Sequence, residues 1–419
     1  MKFTYPVTKK KYGEFLKDLE NALLNQFESY EIYRKLCKFR GIEEKDLEKI
    51  VHNGELWYIP SIPASFFKIR TPEGKRNDLV ENLANKKKPG EYSVSSSTSG
   101  NPSYVYRTSE DEEVSFRSYK EAFSKAPDTD IGLMFCPELE FMEYVSKGRL
   151  EKIDDKEMLM YALIGARAAA EKVREKFYML KLRSKPKLVY EVVRSKLTGS
   201  SFTPLYFSKN DFLTGLLKAE EEGKSILLGG SVLVMYPAVL ELKKAGKKFK
   251  LDDRVYVITG AGGWDGVKGN TRWKPINKSQ FVRDLSEVFD IPPEEAERRF
   301  IDNYGTTEDG MSHSGYFSKK LGDFIFEVAE GMKLYLLKPN SPLKNPEVIK
   351  NPDEPGIPLF ISPYGKEGHA GVAIEQGDLI EAISFNDDYS VRKFTGVRRA
   401  TDRDRGHSCA FGMIKDVRI

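Results

Sequence analysis

Ser225-Ile226-Leu227-Leu228, the pair Gly229-Gly230, the segment Val232–Lys244 and then Val255-Tyr256-Val257-Ile258-Thr259 form the stretch whose reading decides the fold. The first run is apolar, follows Lys224 and stops at a glycine pair, which reads as a buried strand. The longer apolar run behind it reads as a buried helix over Val232–Lys244, and the β-branched run Val255–Thr259 as a second strand. No charged residue occurs from Ser225 to Leu240. That segment still falls short of the roughly 20 residues needed to span a bilayer, and Gly229-Gly230 and Pro237 divide it.

Outward from this unit, helical and strand patterns alternate between about residue 111 and residue 300. Glu113–Ser124, Lys156–Phe177 and Phe212–Glu222 read as helices, and Ile131–Phe135 as a strand. Such alternation predicts an α/β fold with mixed, largely parallel sheet covered by helices. Residues 1–50 read as two helices with Gly41 between them and Glu43-Glu44-Lys45 opening the second. Residues 51–110 are proline-punctuated strands and loops. After Phe324 the short runs Lys333–Leu337, Leu359–Ile361, Gly371–Glu375 and Ser390–Lys393 predict a β-rich terminal lobe. The expected division is a core over 1–376, with its helical lead-in at 1–50, and a short lobe over 377–419. There is no internal repeat or long low-complexity tract.

Composition fits a large enzyme in a reducing compartment. Forty per cent of the 419 residues are hydrophobic, enough for one large core with a smaller lobe. With 67 basic and 63 acidic residues the net charge is only +4, so no general nucleic-acid affinity is expected. The three cysteines, Cys37, Cys136 and Cys409, are too far apart for a CxxC zinc site, and their odd number argues against a disulfide framework. The lysine-rich start lacks an apolar signal region, so a cytoplasmic protein without a membrane segment is expected.

Candidate chemistry centres on Tyr304-Gly305-Thr306-Thr307-Glu308, behind the helical-looking run Pro292–Asn303. An aromatic ring can stack on a purine, the glycine lets backbone approach it, the two hydroxyls can reach phosphate oxygens, and the acid can hold Mg²⁺. Upstream, Ser95-Ser96-Ser97-Thr98-Ser99-Gly100-Asn101-Pro102-Ser103 precedes the strand-like Tyr104-Val105-Tyr106-Arg107. A hydroxyl-rich turn between strands offers an anion N–H and O–H donors. Gly260-Ala261-Gly262-Gly263-Trp264 ends the Val255–Thr259 strand with small residues, which can place backbone beside a planar ligand. Its spacing is not that of the dinucleotide fingerprint, and a Rossmann dehydrogenase is rejected. Gly377-Asp378 supplies a carboxylate suited to ribose hydroxyls, and Gly396–Asp402 brings Arg398 and Arg399 in a hinge-like segment.

In this order and spacing the segments resemble the adenylate-forming ligases: acyl- and aryl-CoA synthetases, luciferases and adenylation domains. The resemblance implies ATP and Mg²⁺ as cofactors, with Ser96, Thr98, Ser99 and Gly100 in the phosphate loop. It also implies Gly260, Gly262, Gly263, Tyr304, Gly305 and Thr306 at the nucleotide, Thr307 and Glu308 at the reacting phosphates, and Glu308 on the metal. Asp378 would take the ribose, and Arg398 and Arg399 the hinge. Within the superfamily the chain most resembles the acyl-protein synthetase branch of the bacterial luminescence fatty-acid reductase, through Tyr58–Lys68, Gly262-Gly263-Trp264 and Arg405-Gly406-His407-Ser408-Cys409-Ala410.

Three departures stand out. Ser97 occupies the place of the loop's first glycine; Asp265 follows the tryptophan where the family has lysine, with Lys268 three positions on; and His407 and Ser408 separate Arg-Gly from Cys409. Only residues 400–419 follow Arg398-Arg399, too few for the C-terminal domain of full-length members, whose lysine completes adenylation. Lys415 is a weak substitute.

That branch implies activation of a carboxylic, first of all a fatty, acid to an acyl-adenylate. Transfer to a cysteine and delivery to an acyl-acceptor protein such as a reductase follow. His407 and Cys409, two residues apart, would face one side of an extended segment and favour the thiolate. Cys37 and Cys136 read as packing residues, and His313 as a polar residue near enough to Glu308 to face the site. Two other readings stay open: a carboxylate–CoA ligase of the phenylacetate type, and a degenerate nucleotide-binding assembly protein.

Overall fold

A computed structural model describes residues 9–68, 78–95, 103–137, 157–158, 160–182, 205–206, 209–260, 262–268, 271–272, 274–339, 341–342, 344–352 and 354–400. Its centre is one large mixed sheet. Five of its strands are mutually parallel: Thr129–Pro137, Val173–Leu182, Ile226–Ser231, Val255–Gly260 and Phe300–Gly305. Numbered along the chain they lie side by side as 2-1-3-4-5, a doubly wound order. Antiparallel neighbours continue it through Ser312–Ser318, Asp323–Glu327, Val391–Arg399, Asp378–Phe385 and Pro355–Ile361, which Lys333–Leu337 and Ala373–Glu375 flank. The two strands beyond residue 376 are therefore built into this sheet.

Alternation along the parallel strands explains the helical cover. Leu133, Phe135, Leu228, Val257 and Phe300 share one core with residues of the helices Lys209–Glu221, Val232–Lys244 and Lys278–Phe289. Their chain neighbours Met134, Leu227, Ile258 and Ile301 enter a second core with Tyr119, Phe123, Ile164 and Ala168, from Ser109–Phe123 and Met160–Ala170. Successive strand residues point to opposite faces, so apolar runs without polar alternation demand cover on both sides.

The helical lead-in is three helices, Lys9–Ser29, Glu31–Arg40 and Glu44–Asn53, where two were expected. Tyr30 breaks the first pair in an extended conformation. Phe15, Leu19, Tyr33, Leu36 and Leu47 pack against Tyr335, Leu359, Ile361 and Ile374, so the start of the chain covers its antiparallel strands. Buried Gln26 ties the two together, its Oε1 accepting from the amides of Gly371 at 2.8 Å and Val372 at 3.0 Å.

Two expected helices are corrected. The run Lys156–Phe177 holds the short strand Glu157–Met158, the helix Met160–Ala170 and then the strand Val173–Leu182. The strand pairs with Thr129–Pro137, and Gly132 leaves the room that Val173 and Phe177 fill. Pairing has overridden the helix-forming composition of 171–182. Likewise Pro292–Asn303 is helical only to Arg299; Phe300–Gly305 is a strand between Val255–Gly260 and Ser312–Ser318.

Candidate active site

The Phe300–Gly305 strand delivers its last residues to the carboxyl edge of the parallel strands, where open α/β sheets bind ligands. Beyond it the chain turns through Thr306–Gly310, closed by the Gly310 amide donating to the Thr306 carbonyl at 3.0 Å. Glu308, only 4% exposed, sits in this turn, and Ser103 Oγ donates to its Oε1 at 2.5 Å. Lys68 Nζ lies 3.8 Å from the same oxygen. Ser103 is at the base of the hairpin Gly90–Val94/Tyr104–Thr108, pinned by Ser95 through two hydrogen bonds of 2.7 and 3.0 Å. The foot of the hydroxyl-rich loop and the acid of the pentapeptide thus meet across the molecule. Ser96, Thr98, Ser99 and Gly100 lie outside the described residues.

Around the acid the turn is braced from several elements. Gln376 Nε2 donates to Thr306 Oγ1 at 2.7 Å, which donates to Asp309 Oδ2 at 3.0 Å. Arg107 Nη2 donates to the Thr307 carbonyl at 2.7 Å, and Lys366 Nζ to the Asp309 carbonyl at 2.5 Å. Gly310, at φ +76°, leaves the space that the Arg107 guanidinium and the Ser115 hydroxyl occupy. Burial raises the Asp309 carboxyl and lowers the Lys366 ammonium from their ordinary values.

Asp378 lies beside the same strand end. Tyr304 donates its hydroxyl to Asp378 Oδ2 at 2.8 Å, and Arg399 Nη1 is 2.9 Å from Oδ1. Asp378 and Arg399 are direct partners across their antiparallel strands, and Arg398 pairs with Leu379 one step on. The neighbouring carboxylate raises the already high pKa of Arg399. The Tyr304 ring rests on a nest of His313, Phe326, Phe360 and Phe394.

His313 does not face the site. It is fully buried and stacks on Phe360 with ring centroids 4.9 Å apart, its Nδ1 accepting from the Ala329 amide at 2.9 Å. Burial pushes its pKa down to about 3. The unfolded chain therefore binds a proton that the folded chain refuses between about pH 6.5 and 3, so stability present above 6.5 is lost as pH falls. From pH 6.5 to 4.5 this one group is expected to remove about 2–3 kcal/mol, at 1.36 kcal/mol per pH unit. Urea denaturation of His313→Phe should show a shallower acid loss; an unchanged slope would disprove the assignment.

The glycine loop is fixed from below. Trp264 Nε1 donates to Asp302 Oδ2 at 3.0 Å, and Thr259 Oγ1 donates to Oδ1 at 2.8 Å. Gly260 ends the strand beside Asn303. Gly262 and Gly263 have φ +63° and +94°, and a side chain at Gly263 would strike Leu233 at 2.8 Å. Tryptophan and Asp302 thus set the loop's position, a pairing no local pattern announces.

Cys409 and His407 lie outside the described residues. Burial pushes the Cys37 and Cys136 thiols up to about 12, so both stay protonated near neutrality. Sequence reading missed Lys68 and Ser103 beside the acid, Arg107 and Lys366 on the flanking carbonyls, and Asp111, which holds the loop of Lys366. Only the Thr108/Asp111 capping box and the glycines of Gly365–Gly371 carried a local signal. Among the described residues no cluster of three or more His, Cys, Asp or Glu could cage a metal. A single buried carboxylate fits Mg²⁺, which uses one or two carboxylates together with substrate phosphates, while Lys68 lies 3.8 Å from the same oxygen. No helix among the described residues is long and apolar enough to cross a membrane.

The profile of the family described as acyl-protein synthetase, LuxE, matches residues 7–320, and the chain belongs to that family. None of the curated proteins matches it. A 2-hydroxyisobutyryl-CoA ligase in complex with 2-HIB-AMP and CoA, in the thioesterification state, aligns at TM-score 0.50 and 10% identity over 92% of this chain and 67% of its own. That likeness shows a shared fold. A long-chain fatty acid–CoA ligase from Archaeoglobus fulgidus aligns at TM-score 0.43 and 13% identity, over 74% of this chain. The chain spans about half, 51%, of that ligase.

Proposed function

We propose that this member of the acyl-protein synthetase family activates a carboxylic acid, a fatty acid first among candidates, with ATP, and passes the acyl group to a protein thiol. The observation that carries the reading is the Ser103–Glu308 hydrogen bond, which joins the hydroxyl-rich loop to the pentapeptide, with Asp378 tied to Tyr304 alongside.

On this reading Ser96, Thr98, Ser99 and Gly100 give donors to the phosphates, and Gly260, Gly262, Gly263, Tyr304, Gly305 and Thr306 flank the base. Asp378, held by Tyr304 and Arg399, takes the ribose hydroxyls, with Arg398 beside it. Glu308 would hold Mg²⁺, which when bound neutralises phosphate charge, and Thr307 adjoins it. Lys68 balances the Glu308 charge while no cation is bound, since a buried carboxylate without a counter-charge is costly.

The substrate carboxylate attacks the α-phosphorus, forming the acyl–phosphate bond as pyrophosphate leaves. A thiolate then attacks the acyl carbon, a thioester forms and AMP leaves. His407 would take the proton from Cys409. A reductase or another acyl acceptor would collect the product, docking on the segment from residue 377 onward.

ATP–pyrophosphate exchange across acids of increasing chain length tests the first step. For the second, incubation with ATP, Mg²⁺ and the preferred acid should add one acyl mass that hydroxylamine removes. Cys409→Ser is expected to keep exchange and lose that mass. A labile acyl group persisting on Cys409→Ser would place the nucleophile elsewhere, and consumption of free CoA would favour a CoA ligase.

A further inference from the structure

Glu308 is flanked by two peptide carbonyls, and each accepts from a buried cation. Arg107, 1% exposed, holds the Thr307 carbonyl on one side, and Lys366, 9% exposed, holds the Asp309 carbonyl on the other. The cations come from remote segments. Arg107 stands on the hairpin strand that begins after Ser103, while Lys366 stands on the loop before Ala373–Glu375. Asp111 locks that loop to the Ser109–Phe123 helix, accepting from the amides of Glu367 at 2.9 Å and Gly368 at 2.8 Å.

Among the described residues both cations donate to backbone carbonyls, and neither forms an ion pair. Asp111 and Asp309 act on them only through space. Each cation thus donates to the turn's backbone, while its charge is balanced through space by the buried carboxylates around it. Their arrangement makes sense as a clamp on the turn between them.

We propose that Arg107 and Lys366 are positioning residues that fix the Thr307–Asp309 turn, and through it Glu308, in the geometry needed to bind ATP with Mg²⁺. This rests on the adenylation reading above. Both cations donate to carbonyls of the turn, so their loss acts on Glu308 through the backbone. Holding a carboxylate within about half an ångström of its working position requires such supporting contacts.

Calorimetric titration of the full chain with ATP and Mg²⁺ tests this without measuring turnover. Lys366→Met keeps the length and removes the charge. Its folded fraction is expected to bind about 10- to 100-fold more weakly, the loss that goes with one buried hydrogen bond to a charged group. Lys366→Arg, which keeps a cation, is expected to recover most of that affinity. A Lys366→Met protein that binds as tightly as wild type overturns the inference. So does one that only melts earlier while its folded fraction binds normally. If Lys366→Met does not fold, Arg107→Lys decides: about tenfold weaker binding supports the clamp, and unchanged binding overturns it. Wild-type protein that binds no ATP would instead overturn the adenylation reading, and the clamp with it.

Discussion

Glu308→Gln is expected to lower carboxylate-dependent pyrophosphate exchange by about 10²–10³-fold, the range for removing one electrostatic contributor at a reacting centre. Glutamine has nearly the same shape and can still accept from Ser103, whose hydroxyl lies 2.5 Å from Glu308 Oε1. What disappears is the charge, and with it the partner of Lys68 at 3.8 Å and the carboxylate suited to a divalent ion. Exchange at saturating acid and nucleotide reads the effect. A Glu308→Gln enzyme within tenfold of wild type would show that the chemistry does not depend on this carboxylate.

The largest loss of stability is expected from Asp111→Ala, about 3–5 kcal/mol by urea denaturation, the scale for removing one charged partner from a buried polar network. Fully buried Asp111 accepts from three amides: Thr108 at 3.0 Å, Glu367 at 2.9 Å and Gly368 at 2.8 Å. It also completes a capping box with Thr108 at the start of the Ser109–Phe123 helix. Alanine would leave those donors unpaired and release the loop that carries Lys366. A change below about 1 kcal/mol, the scale of an ordinary cap, would mean that water or neighbours replace the carboxylate.

Much of the fold is legible along the chain because strands and helices declare themselves by local pattern. Ile226–Ser231, Val232–Lys244 and Val255–Gly260 lie where the apolar runs and glycines put them. Of the β-rich runs, Lys333–Leu337 lies as expected, Gly371–Glu375 shrinks to Ala373–Glu375, and the other two extend to Pro355–Ile361 and Val391–Arg399. Lys156–Phe177 failed because composition alone cannot reveal that Thr129–Pro137 offers an open neighbour for pairing. Tertiary pairing outweighs propensities of a few tenths of a kcal/mol per residue.

The candidate site divides along the same line. The segments Tyr304–Glu308, Ser95–Ser103 and Gly377-Asp378 were enough for the chain to resemble the acyl-protein synthetase branch, and the family profile matches residues 7–320. The sequence also dictated the helix-covered sheet, because buried strands must read as apolar runs. Folding alone brings Ser103 to Glu308, sets Arg107 and Lys366 on the carbonyls beside it, stacks His313 in the core and lays the first helices over the last strands. Such contacts join residues from 47 to more than 200 positions apart, where burial favours pairing each polar group with whatever partner the topology brings within reach.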